Sequence, residues 1–336
     1  MNQKCQKLTR FEIAILPTPL LRLSRLEQRL KTKNLYIKRD DLLGRVLGGS
    51  KLRKLEYIIP EVLKEKADTL ITTGSFESNH ASLTAAVAKM LGMEAAVVLM
   101  GPKNKKLIAF NEKIQQHLGV TIKTVEFDES DPESRAGLGE QVKQQVQELT
   151  DKLISLGKKP YFVPPAGCCL EGTYSFVKAF DELNEQMQKS GCNSYDIVLT
   201  VGTGSTFAGL WCGAKKTNSD VKIYGISIAR TNPRCINETI KAAKRVCEYL
   251  NLPVPKESEL NITDKYIGPG YAKPTDWSYE GIHLALETEG LLLGHTYTGK
   301  AMGALIDMLK KGLLGSRPIV FWHTGGVAGA IDFFCL

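Results

Sequence analysis

Short runs rich in Val, Ile and Thr alternate with longer amphipathic segments along almost the whole chain, and this alternation limits its possible folds more than any other feature. It is the pattern of βαβ units, in which each apolar run becomes a strand of a mostly parallel sheet and the following segment a helix that covers it. Strands are predicted at residues 35–39, 69–73, 95–100, 121–126, 161–163, 196–201, 222–229 and 319–322. Helices fill the gaps. Residues 133–156, 174–188 and 236–249 carry apolar positions at helical spacing among many polar ones, which suits helices packed on one face only.

A length of 336 residues suits two packed domains, at roughly 100–200 residues each. With 43% hydrophobic and 24% charged residues the chain is an ordinary globular protein, not a disordered or fibrous one. No window reaches the roughly 18 apolar residues of a membrane span, and the opening residues lack the apolar core of a secretory signal, so no membrane is expected and the cytoplasm is the expected location. The eight cysteines show no Cys-x-x-Cys pair and no His at ligand spacing, so neither a metal site nor a disulfide framework is indicated. Cys168 and Cys169 are adjacent and follow a Pro-Pro-Ala-Gly turn, which allows a role beside the active site, with packing the favoured reading. The formal charge of +8 comes from dispersed short lysine pairs such as Lys105-Lys106 and Lys158-Lys159. A solvated surface accounts for them, and nucleic acid, which needs a basic stripe with exposed aromatics, is not an expected partner.

Three loops join a strand to a helix and carry candidate chemistry. The first, Gly202-Thr-Gly-Ser-Thr206, aims backbone N–H groups and hydroxyls at one spot beside a helix N-terminus, which suits a phosphate; read alone it is equally a capped Gly-rich turn. A dinucleotide site is disfavoured, because Phe207 stands where the third glycine of Gly-x-Gly-x-x-Gly belongs and no carboxylate follows the next strand. The second, Gly48-Gly-Ser-Lys51, sets a lysine at the start of a helix, whose dipole favours the neutral amine that Schiff-base chemistry needs; read alone, Lys51 is also an ordinary surface lysine. The third, around Ser78, Asn79 and His80, offers a helix cap and room for a carboxylate.

Taken in order, these loops resemble the aminocyclopropane-carboxylate deaminase and D-cysteine desulfhydrase family of pyridoxal-phosphate enzymes. The likeness also includes Leu16-Pro-Thr-Pro19, Ile37-Lys-Arg-Asp-Asp41, Gly268-Pro-Gly-Tyr271, Tyr297-Thr-Gly-Lys-Ala-Met302 and His323-Thr-Gly-Gly326. It implies an α/β chain of two open, mostly parallel twisted sheets flanked by helices, the fold type II of such enzymes. Residues 1–51 and 166–336 would form a large cofactor-binding domain, and residues 52–165 a small inserted one, with pyridoxal 5'-phosphate between them. It further implies that Lys51 is the Schiff-base lysine and moves the α-proton, that Asn79 meets the cofactor's phenolic oxygen, and that Thr203, Gly204, Ser205 and Thr206 hold its phosphate. Ser78 and His80, with Asn79, would receive the substrate carboxylate. Tyr297 would pack on the pyridine ring and Tyr271 face the substrate from the opposite wall. A homodimer acting on a small amino acid is implied as well.

The choice of reaction turns on Thr298. In the family's ring-opening deaminases a glutamate stands there and keeps the pyridine nitrogen protonated. A hydroxyl donates no full charge, so expulsion of a good β-leaving group is favoured, and Thr324, where the deaminases tend to carry leucine, points the same way. D-Cysteine, giving pyruvate, sulfide and ammonia, is the expected substrate. Aminocyclopropane carboxylate, L-cysteate, chloroalanine and a racemase or synthase reaction are the alternatives. Ser50, Glu77, Ser82-Leu83 and Gly294-His-Thr296 depart from the residues usual in the family.

Overall fold

The computed structural model describes residues 7–104, 108–129 and 137–335. Lys105-Lys106, Cys5 and the first residues of the helix expected from 133 lie outside the described residues. The strands are β1 (Leu20–Arg22), β2 (Leu35–Arg39), β3 (Thr69–Ser75), β4 (Glu94–Pro102), β5 (Thr121–Phe127), β6 (Pro160–Phe162), β7 (Ser194–Val201), β8 (Asp220–Ser227), β9 (Asn261–Thr263) and β10 (Ile319–His323). The helices are α1 (Ser24–Leu30), α2 (Lys51–Lys64), α3 (Asn79–Met90), α4 (Phe110–His117), α5 (Leu138–Ser155), α6 (Leu170–Lys189), α7 (Ser205–Thr217), α8 (Arg234–Leu250), α9 (Asp276–Glu289), α10 (Thr298–Lys310) and α11 (Val327–Phe334). All eight predicted strands are present, and β1 and β9, three residues each, were not predicted. Both lie at the edges of one sheet, and three residues are too few to show a period of two; the equally short β6 is legible only from its apolar run Tyr161-Phe-Val163.

The chain divides into two compact units, one made of residues 1–8, 12–54 and 168–336, the other of residues 9–11 and 55–167. The larger unit holds a six-stranded sheet in the order β1-β2-β10-β7-β8-β9, parallel except for the antiparallel pair β1–β2. Its central strands are apolar on both faces, as a parallel sheet clad by helices requires. Along β10 the alternation divides the core: Val320 and Trp322 pack with Phe176, Phe180 and Trp211 of α6 and α7, whereas Ile319 and Phe321 pack with Ile282, Met302 and Leu305 of α9 and α10.

The smaller unit holds a parallel sheet in the order β5-β4-β3-β6. Ile71, Ala96, Val98 and Val125 meet Val142 and Leu149 of α5, a helix that buries a single stripe, as its spacing predicts. Helix α2 carries Pro60 in its interior, where proline has no N–H to donate to the carbonyl four residues back. That carbonyl, on Glu56, instead accepts the N–H of Phe11 at 2.7 Å, and the Glu56 carboxylate takes two hydrogen bonds from Arg10 at 2.7 and 3.0 Å. A proline in the helix thus accounts for why a short N-terminal strap belongs to this unit.

Candidate active site

In the larger unit, three glycine-containing loops meet at the start of α2. The N–H of Gly49 donates to the Asp40 carbonyl and that of Ser50 to the Thr324 carbonyl, both at 2.9 Å. Gly325, at φ +101°, lies so close that a Cβ on it would fall 2.5 Å from the Gly49 Cα. Only glycine tolerates both that approach and that backbone angle. The contact fixes where Lys51, the first residue of α2, leaves the backbone.

Lys51 is half-buried, and its Nζ donates to the Ser50 hydroxyl at 3.2 Å. Burial brings its pKa down to about 8, partly opposed by the Asp40 carboxylate. The helix dipole invoked from sequence is thus joined by desolvation as a reason for a neutral amine. Ser50, one of the departures from the family pattern, is fully buried and serves this lysine directly. Asp40 is fixed from every side: its carboxylate accepts from Arg53 Nε and Nη2, from the Thr18 hydroxyl at 3.0 Å and from Trp322 Nε1 at 2.9 Å.

The predicted phosphate loop leads into α7, with Gly204 at φ +85° and a virtual Cβ there 2.4 Å from Thr239 Oγ1. The Thr203 and Ser205 hydroxyls lie 3.2 Å apart, and Arg230 ties the loop down by donating to the Gly202 carbonyl at 2.6 Å. A cation the sequence reading did not assign completes the group: Lys54 Nζ donates to the Ser205 hydroxyl at 2.5 Å. Lys54 is 1% exposed, with its ammonium 5.6 Å from the centre of the Phe176 ring. Burial, with repulsion from Lys51, holds its pKa down to about 7. Its signal in the sequence was the i, i+3 spacing from Lys51, which places both on one helix face. An N-terminal helix end, three hydroxyls and a buried lysine form a donor set suited to a dianion. Cys168 packs against the core of this unit, and Cys169, whose thiol burial lifts to about 12, lies within electrostatic reach of Lys54, so the pair packs beside the candidate site.

Tyr271 and Tyr297 are brought together, their hydroxyls 2.5 Å apart and their rings edge-to-face at 5.9 Å. Lys300 steadies the loop before Tyr271 by donating to the carbonyls of Ile267 and Gly270, both at 2.7 Å. Thr298 is fully buried and its oxygen accepts the Gly294 N–H at 3.1 Å, whereas Thr324 is half-buried with its hydroxyl 3.3 Å from that of Thr200. Thr324 is therefore the more accessible of the two. Behind it, His323 approaches the Leu292 carbonyl with Nε2 at 3.1 Å and accepts the Gly325 N–H at Nδ1, and burial lowers its pKa. The ring is thereby set as the neutral Nε2–H tautomer.

In the smaller unit, Ser78 caps α3 by accepting the Ala81 N–H at 3.2 Å, as read from sequence. The His80 ring is 4% exposed and lies 2.9 Å from the Thr72 hydroxyl, which itself donates to the Val163 carbonyl. His80 therefore offers a ligand its backbone at the helix start, not its ring. Asn79 is half-buried, and its Oδ1 accepts from Asn111 at 3.0 Å.

No helix among the described residues is long and apolar enough to cross a membrane. The family described as pyridoxal-phosphate dependent enzyme matches residues 11–325. A relative from Pyrococcus furiosus, provisionally named 1-aminocyclopropane-1-carboxylate deaminase, is 33% identical over 327 residues, 97% of this chain and 94% of that one. D-cysteine desulfhydrase from Salmonella newport is 34% identical over 336 residues, 95% of each chain. A solved ACC deaminase homologue superposes with a TM-score of 0.86 at 32% identity, covering 100% of this chain and 98% of its own. The chain therefore belongs to the pyridoxal-phosphate-dependent enzymes of fold type II, in the group that holds the aminocyclopropane-carboxylate deaminases and D-cysteine desulfhydrases, and pyridoxal phosphate is its cofactor.

Proposed function

We propose that this enzyme eliminates the β-substituent of a small amino acid, with D-cysteine and water yielding pyruvate, sulfide and ammonia. The observation that carries the reading is the uncharged chemistry beside Thr324, the proposed partner of the ring nitrogen: its hydroxyl lies 3.3 Å from that of Thr200, and the adjacent His323 accepts the Gly325 N–H at Nδ1 as a neutral ring does. Neutral partners leave the pyridine nitrogen without the full proton that a glutamate would hold there, which favours prompt loss of a leaving group over a long-lived carbanion.

The residues fit the cofactor. Thr203, Gly204, Ser205, Thr206 and Lys54 would hold the phosphate, on the strength of the Gly204 cradle and the short Lys54–Ser205 contact. Lys51 would carry the aldehyde carbon, and Tyr297 would pack on the ring with Tyr271 toward the substrate. Of the two threonines, Thr324 is the better placed to meet the ring nitrogen, with Thr298 fixing the Gly294 turn. When bound, pyridoxal phosphate supplies the electron sink for the Cα–H bond that is broken. Lys51, neutral above its pKa of about 8, takes the α-proton. Ser78, Asn79 and His80 would orient the substrate carboxylate through the α3 N-terminus, and Asn79 the cofactor's phenolic oxygen. In this reading the larger unit is the cofactor domain and the smaller one the inserted domain, and the enzyme works in the cytoplasm as a homodimer.

The test is a panel of β-substituted amino acids in both enantiomers together with aminocyclopropane carboxylate, assayed for sulfide and for keto acid. Sulfide and pyruvate from D-cysteine are expected. Turnover of aminocyclopropane carboxylate with none of D-cysteine would move the enzyme to the deaminase reading. Lys51→Ala is expected to abolish both turnover and the borohydride-reducible attachment of cofactor, and a reduced adduct mapped to another lysine would overturn the assignment.

A further inference from the structure

The Asn79 side chain is hydrogen-bonded to Asn111, and the direction of that bond is set from outside the helix that carries Asn79. Asn111 Nδ2, on α4, donates to Asn79 Oδ1 at 3.0 Å and also to the Glu77 carbonyl at 2.9 Å. The Glu77 carbonyl can only accept. Asn111 must therefore keep its NH2 end toward Glu77 and Asn79, and the atom of Asn79 that faces Asn111 must be the oxygen. An asparagine amide can otherwise turn end for end at little cost, so a backbone carbonyl here fixes two side-chain amides in succession.

The rest of the network holds Asn111 in place. It is 3% exposed, and its backbone carbonyl accepts from the Ser82 hydroxyl at 3.0 Å. Ser82 in turn accepts from Gln115 Nε2 at 3.0 Å, and both are almost fully buried. Ser82 is one of the positions where this chain departs from the family pattern, so this link of the network lies outside the shared motif to which Asn79 belongs.

We propose that Asn111 is a positioning residue: it turns the Asn79 oxygen inward and leaves the Asn79 NH2 as a donor facing outward, poised for an anionic oxygen. The inference rests on the reading that Asn79 meets the phenolic oxygen of pyridoxal phosphate. If the amide were reversed, its oxygen would face that anion and repel it. The relay thus converts a residue of ambiguous polarity into a dedicated donor.

The experiment compares the holoenzyme with Asn79→Ala, Asn111→Ala, Asn111→Asp and the double variant Asn79→Ala/Asn111→Ala. It reads the dissociation constant for pyridoxal phosphate and the pH midpoint of the bound cofactor's absorption band. An oxygen deprived of its donor holds more negative charge and retains a neighbouring proton more tightly, so Asn79→Ala is expected to raise the midpoint by about one pH unit and weaken binding about tenfold. Asn111→Ala should give a shift of the same sign and about a third of that size in binding, and no further change once Asn79 is alanine. Asn111→Asp, which accepts where Asn111 donates, should match or exceed Asn79→Ala.

If Asn79→Ala shifts neither quantity, the role of Asn79 falls and this inference falls with it. If Asn79→Ala shifts them while both Asn111 variants leave them unchanged, the relay alone is overturned. The same is true if Asn111→Ala acts as strongly in the Asn79→Ala background as in the native one. Should the Asn111 variants not fold, a neutron structure of the unaltered holoenzyme shows the amide deuterons directly. Deuterons on the outward end of Asn79 support the proposal, and deuterons facing Asn111 overturn it.

Discussion

The two units place their candidate residues by different means. In the larger one, glycines allow close approach, as where Gly325 meets Gly49 and Gly204 meets Thr239, and the polar groups of the site stand on the loops that make these contacts. In the smaller one, Asn79 stands on an ordinary helix start and is oriented by a chain of side-chain hydrogen bonds through Asn111 and Ser82. Backbone contacts of the first kind fail abruptly when a methyl is added. Side-chain relays of the second kind degrade one bond at a time, so the two units should respond to substitution on different scales.

The largest effect is expected at Gly325. An alanine there would place Cβ 2.5 Å from the Gly49 Cα at a φ of +101°, and something in the Lys51 loop would have to move. Unfolding free energy measured by denaturant titration is expected to fall by about 2–4 kcal/mol, from backbone strain and overpacking together. Retained cofactor should be lost in parallel. Full stability with undisturbed cofactor would show that the loop yields more easily than its contacts imply.

Lys54→Met is expected to separate binding from stability. The variant loses the cation at Ser205, and pyridoxal phosphate should bind about tenfold to a hundredfold more weakly, the measure of a charge-assisted hydrogen bond. The apoprotein, relieved of a lysine whose pKa burial holds down to about 7, should nonetheless become more stable at neutral pH. Destabilisation of the apoprotein would indicate that the Lys54–Ser205 bond contributes more than the desolvation costs.

The same physics gives the larger unit a pH dependence of its own. Lys51 and Lys300 have folded pKa values of about 8, below the ordinary lysine value, so between about pH 8 and 10.5 the unfolded chain binds more protons than the folded one. Stability from these groups therefore rises with pH across that window and is lost as pH falls toward 8. All three tryptophans, Trp211, Trp277 and Trp322, belong to the larger unit, so fluorescence follows its unfolding alone. The denaturant midpoint of the apoprotein by fluorescence should increase from pH 8 to 9.5, and a flat or falling midpoint would contradict the buried state of these lysines.

What could be read from the sequence follows the same division. The alternation of strand and helix located eight of the strands, the three-residue β6 among them, and the glycines that bring backbones together were visible as Gly48-Gly, Gly202-Thr-Gly and Thr-Gly-Gly326, because a glycine pair between a strand and a helix is a local signal. Lys54 was in view but without a role, since its partner Ser205 lies 151 residues away. Asn111 and Gln115 were invisible: polar residues on an unremarked helix, with partners 32 and 33 residues distant that no spacing rule connects. The strap that ties Arg10 to Glu56 was hidden for a related reason. Pro60 announced a missing donor but not the Phe11 N–H that would serve the orphaned carbonyl.

The smallest effect is expected at Ser82, and it discriminates within the relay. Alanine at this buried position removes the donor to the Asn111 carbonyl and leaves Gln115 Nε2 without its acceptor, which should cost about 1 kcal/mol. The orientation of the Asn111 amide, however, is set by the Glu77 carbonyl, which Ser82 does not touch. Ser82→Ala should therefore lower the unfolding free energy while changing the cofactor dissociation constant by less than about threefold, well under the cost of one hydrogen bond. A larger loss of cofactor would mean that Ser82 and Gln115, by fixing α4 against α3, control the direction of Asn79 as much as the Glu77 carbonyl does.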